Sequence, residues 1–143
     1  MGNNYFKKKR VKIMEKLTLK IKIMLLWLWI PIAMTACVLA VAISPGGLEL
    51  LVSETKTTGI WATLSGVVIW LGPLIMAFLS LTLKDRANRN TNRVLSIIYA
   101  AFLLAELVTI LFDPMMIQIP LEGSTVVAAA FLIFYSWKWP IKG

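Results

Sequence analysis

Glu106 is the one charged-type residue well inside a hydrophobic stretch of this chain, and its helical neighbours also carry oxygen. Tyr99, Phe102, Glu106, Thr109 and Asp113 recur at spacings of three and four, which on a helix gathers them within an arc of about 80°. A carboxylate in hydrocarbon costs on the order of 3 kcal/mol, so such a residue faces protein or water rather than lipid. The chemistry this allows is proton or cation coupling, with Tyr99, Thr109 and Asp113 alongside Glu106. The plainer reading is a structural carboxyl bonded to a partner helix. Little else is available for catalysis. The chain has no histidine and one cysteine, Cys37, so the usual zinc sets and an intrachain disulfide are excluded. With one embedded carboxylate there is little for acid-base or nucleophilic work. We expect a non-enzymatic protein without cofactor or metal.

The elements that position Glu106 follow from how charge is distributed. The chain has 143 residues, 59% of them hydrophobic, and a formal charge of +8. Fourteen of its fifteen Lys and Arg lie in three blocks, residues 7–22, 84–93 and 138–142. Between them run apolar lengths that match the roughly 30 Å of bilayer hydrocarbon at 1.5 Å per residue. The expected fold is all-α, an integral membrane four-helix bundle of two hairpins. A basic cytoplasmic arm, 1–22, precedes a transmembrane domain, 23–143, with spans at about 23–43, 60–83, 94–112 and 121–139 and a cytoplasmic loop at 84–93. Pro31 should kink the first span. Ser44-Pro45-Gly46-Gly47 ends it by turn chemistry, opening a weakly acidic loop to Gly59. Gly72-Pro73 predicts a bend or a close contact in the second.

Lys and Arg stay on the cytoplasmic side of membrane proteins, which puts both termini there and leaves only Lys56 outside. Trp27, Trp29, Trp137 and Trp139 fall near the inner interface, Trp61 near the outer one, and Trp70 mid-membrane. Arg86, Arg89 and Arg93 stand at helical spacing and are candidates for anionic lipid headgroups. The competing reading makes them topological charges alone. A basic start before an apolar run also describes a secretory signal. Here the run continues past Cys37 to Ile43, longer than a signal core, which makes Cys37 a packing residue.

Three stretches carry a resemblance. Gly72-Pro73-Leu74-Ile75-Met76 followed by Leu83-Lys84-Asp85-Arg86-Ala87-Asn88-Arg89, the tail Tyr135-Ser136-Trp137-Lys138-Trp139, and the opening Lys20-Ile21-Lys22-Ile23 with Leu26-Trp27 are similar to an uncharacterised family of small four-helix prokaryotic membrane proteins, domain of unknown function 6326. The resemblance implies a four-helix membrane fold and no established activity. That family has an acidic residue before the mid-helix proline of helix two and an Asp-Pro pair after helix one. This chain has Gly72 before Pro73 and Ser44 before Pro45, so no role built on those acids transfers.

The expected function is that of an accessory or interaction module in the plasma membrane of a prokaryote, multi-pass. The alternative is a small proton- or cation-coupled transporter using Glu106. Partners would be the bilayer with its anionic headgroups and a second copy or another membrane protein. Nucleic acid is not among them, because the apolar runs between the basic blocks have no explanation in a soluble domain.

Overall fold

A computed structural model of the chain describes residues 2–112 and 118–139, the side chains of 2–5, 9, 12, 54–59, 61–63 and 65 excepted. The described chain is all-α, with helices α1 (Gly2–Ala42), α2 (Gly47–Thr82), α3 (Asp85–Ile110) and α4 (Ile119–Trp137). Among the described residues, three helices are long and apolar enough to cross a membrane, α1 within Phe6–Ala42, α3 and α4. In the part of α2 whose side chains are described, the apolar stretch is Gly66–Thr82, about 25 Å long. Among the described residues, length and composition support three spans where four were expected, and they are compatible with a membrane protein.

Two expected loops are helical. Helix α2 starts at Gly47 rather than near Ile60, so the acidic loop to Gly59 is absent. The turn is short because Gly46 adopts φ +75° and Gly47 has no side chain to meet the Val41 carbonyl, the backbone freedom such a turn needs. The 84–93 segment is also no loop, since α3 begins at Asp85 and only Leu83 and Lys84 separate it from α2. Its polar residues hide an amphipathic pattern. Asn88, Asn92, Ser96, Tyr99 and Leu103 are buried at helical spacing, while Arg86, Ala87 and Asn90 face outward, and that buried stripe is what makes the segment helical. The arm at 1–22 likewise continues into the first span from Gly2 as one helix.

The helices run alternately up and down, with α1 between α2 and α4 and α3 against α4. The apolar core joins Ile23, Trp27 and Ile30 of α1 to Met76 and Ala77 of α2, Tyr99 and Leu103 of α3, and Ala129 and Leu132 of α4. Large apolar side chains such as Leu25, Ile32, Leu71, Phe78, Ile98 and Leu104 point away from it, whereas Ser80, Asn88, Asn92, Ser96, Thr125 and Ser136 are buried. Polar inside and apolar outside is the distribution a lipid environment selects.

Helix α2 cannot be a straight rod. Its start touches Val41, and Trp70 donates its indole N–H to the Thr35 hydroxyl at 3.0 Å. Between those contacts α1 advances about 9 Å and α2 about 35 Å. The amino-terminal turns of α2 consequently fold across the end of the assembly, bringing Leu50 and Leu51 over the neighbouring helices.

Candidate functional site

The two ends of the helices differ in kind. At the end bearing the basic residues, a hydrogen-bonded network ties three helices together. Trp27 donates to the Asn92 side-chain carbonyl at 2.6 Å, the Asn92 amide donates to the Asn88 side-chain oxygen at 2.5 Å, and the Asn88 amide donates to the Ser80 carbonyl at 2.5 Å. The Ser80 hydroxyl donates to the Met76 carbonyl at 2.7 Å. Asn88, Asn92, Ser80 and Trp27 have no solvent exposure, so each polar group needs the partner it has. The edge of Trp27 meets Tyr99 with ring centroids 5.2 Å apart, and the Tyr99 hydroxyl donates to the Val68 carbonyl at 2.8 Å. Pro73 supplies no N–H for the next carbonyl along, that of Ile69. Tyr99 therefore serves the turn that the proline weakens, and it fits there because Gly72 leaves the space a side chain would fill.

Outside this network lies a charged layer. Lys16 and Lys20 pair with Asp85 at 2.9 and 3.4 Å, and Lys20 donates to the Leu83 carbonyl at 2.9 Å. The hydrogen bond from Lys16 holds the Asp85 carboxyl below the ordinary aspartate range. Arg93 donates to the Ser136 and Trp137 carbonyls at 3.1 and 3.3 Å and stacks over the Trp137 ring at 4.6 Å.

At the opposite end the interior opens. A half-enclosed cavity of about 280 Å³ lies beside the α1–α2 turn, lined by Met34, Cys37 and Val41 of α1, Leu50 and Leu51 of α2, Glu106 and Thr109 of α3, and Gln118 and Glu122 at the start of α4. Pro120 stands in the first turn of α4, where its missing donor is not needed, and Glu122 in the same turn is buried. Glu122 is 2% exposed, and its Oε2 accepts from the Cys37 thiol at 3.8 Å. The same thiol lies 4.0 Å from the Gln118 carbonyl. A thiol is a weak donor. Glu106, half-buried on α3, lines the same cavity as Glu122.

Glu106 and Glu122 turn two carboxyls to one cavity, a lining that favours cations over anions. The cavity thus has the elements of a cation or proton site. No family model, curated protein or solved structure matches this chain.

Of the residues expected to act together, Glu106 and Thr109 do line one cavity, and the Thr109 hydroxyl donates to the Glu106 carbonyl at 2.7 Å. Tyr99 does not join them. It is occupied by Trp27 and Val68 in the core. Asp113 lies outside the described residues. Of the three arginines, Arg86 is exposed, Arg89 is half-buried with a buried, unpartnered Nε, and Arg93 is spent on the end of α4. Arg93 thus gives part of its five-donor guanidinium to the end of α4. Trp27 and Trp139 are buried in the core, whereas Trp29 and Trp137 are exposed. Sequence reasoning missed Glu122 because an acid two positions after Pro120 reads as the rim of a span. It also missed Cys37, Gln118 and the buried asparagines. Cys37 and Glu122 sit at matching depths of antiparallel helices, the one signal that pairs them.

Proposed function

We propose that the protein is a multi-pass membrane protein that takes up a proton or small cation in the cavity between Glu106 and Glu122 and couples it to transport. In this reading the apolar part of α2 serves as the fourth span, the four helices form an integral membrane bundle, and both termini face the cytoplasm. The distribution of Lys and Arg supports that orientation, and the membrane is the plasma membrane of a prokaryote. The observation carrying the proposal is the acidic cavity itself, which reaches Glu106 from the end away from the basic residues. A non-enzymatic accessory or interaction module, in contact with a second copy or another membrane protein, is the competing reading, and it calls for a packed interior at Glu106. Membership in the family of unknown function that the chain resembles belongs to the same proposal and brings no activity to it.

The test is reconstitution in liposomes with an imposed proton gradient and a pH-sensitive dye inside, screened against monovalent and small organic cations. Cation-dependent proton flux is expected, and it should be lost in Glu106→Gln and Glu122→Gln at unchanged helicity and yield. Flux equal to that of protein-free liposomes, or flux indifferent to both substitutions, would overturn it. Reporters fused at Gly46 and at the carboxyl terminus should land in different compartments.

A further inference from the structure

A second concavity lies on the outer surface between α1 and α4, towards the basic end. It is a shallow groove of about 400 Å³ lined by Lys22, Leu25, Leu26, Trp29, Phe131 and Tyr135. Trp29 forms one end, its indole N–H fixed by the Ser124 hydroxyl at 3.0 Å. Lys22 forms the other, about 10 Å away along α1. Its ammonium stands 5.6 Å from the Tyr135 ring. Beyond that ring, Phe134 packs edge-on at 5.6 Å and carries Lys138 over its face at 4.3 Å. Lys22 and Lys138 are exposed, and neither is engaged by an acid among the described residues. The groove is thus apolar along its length and cationic at one mouth.

We propose that this groove is a binding site for one anionic phospholipid of the leaflet at the basic end. An acyl chain lies along Leu25, Trp29 and Phe131, and the phosphate meets Lys22 at the groove's mouth, with Lys138 adding its charge from the neighbouring Phe134 ring. Charge complementarity decides the occupant. A zwitterionic lipid fills the groove equally well but gains less from two ammonium groups, and a soluble phosphate lacks the chain that the groove accommodates. The site is separate from Arg86, Arg89 and Arg93, and it shares with the cation reading only the insertion into a bilayer.

Trp29 reports on occupancy. The full-length protein is reconstituted in phosphatidylcholine vesicles, and brominated phosphatidylglycerol or brominated phosphatidylcholine is titrated in while tryptophan emission is followed. The emission component that disappears in Trp29→Phe belongs to the groove. It should be quenched at a several-fold lower mole fraction of the anionic lipid. Lys22→Gln and Lys138→Gln should each reduce that preference, by about fivefold where the lysine meets the phosphate. Glycerol phosphate in solution should not compete. Equal quenching by both lipids overturns the proposal, and so does a preference that survives the double lysine substitution or one abolished by glycerol phosphate. Quenching of Trp29 by neither lipid would overturn membrane insertion along with it. Loss of cation flux with selective quenching intact would strike the transport reading alone.

Discussion

The indole N–H of Trp27 and the side-chain carbonyl of Asn92 meet at 2.6 Å where neither residue has any solvent exposure, joining α1 to α3 diagonally. Asn92→Leu strands the indole donor and breaks the bond to Asn88. The expected cost is about 1–3 kcal/mol, that of an unsatisfied buried group. Adding Trp27→Phe removes the stranded donor and should recover part of the loss. Unfolding in mixed detergent micelles measures both. Equal stability of Asn92→Leu and wild type would show that the contact does not hold the helices.

Gly72 and the Tyr99 hydroxyl occupy adjoining space with no room for a methyl group. Gly72→Ala should destabilise by about 1–3 kcal/mol, the usual range for overpacking. Tyr99→Phe gives up the bond to Val68 but removes the oxygen that the methyl group would strike, leaving a ring carbon at 3.1 Å that need give by only a few tenths of an ångström. The double variant should therefore be less unstable than the two single effects added, and a double-mutant cycle on thermal midpoints reads the difference.

Asp85 makes part of the stability acid-sensitive. Its carboxyl is held below the usual range by Lys16. The contribution is therefore complete above about pH 4, the ordinary aspartate value, and is lost as pH falls through the lower value in the folded protein. The Asp85 side chain is 41% exposed, so screening limits the effect to about 0.2–1 kcal/mol. Asp85→Asn should lower stability at neutral pH and remove this part of the acid dependence. Parallel loss of stability in variant and wild type on acidification would assign the effect elsewhere.

Cys37 lines the same cavity as Glu106 and Glu122 and is the chain's one thiol. A cationic methanethiosulfonate should label it faster than an anionic reagent of similar size. The ratio should be on the order of fivefold, the factor that about 1 kcal/mol of attraction gives. Substituting both glutamates by glutamine should bring the ratio close to one. Labelling that ignores reagent charge would mean the carboxyls do not govern entry.

The helices themselves were legible wherever charge stops for the thickness of a bilayer, as it does from Ile23 to Ile43. Polar helix was not legible. The segment from Lys84 to Arg93 looks like a loop to any count of charge, because only a partner such as Trp27 turns Asn88 and Asn92 from solvated residues into core. The stretch after Gly47 was hidden likewise by Glu49, Glu54 and Lys56, since a helix folding across the end of its neighbours need not be apolar throughout. In the candidate site, Glu106 and Thr109 stood out by spacing within one helix. Glu122 and Cys37 did not, because their meeting depends on the register between α1 and α4.

The plug formed by Ile23, Trp27, Ile30, Leu103 and Leu132, almost wholly shut to solvent, makes the acidic cavity a cul-de-sac. Whatever reaches Glu122 in this arrangement must leave by the mouth through which it entered. Through-traffic would require the aromatic contact between Trp27 and Tyr99 to part, together with the asparagine bonds beside it. The groups that keep the molecule folded are thus also its stopper.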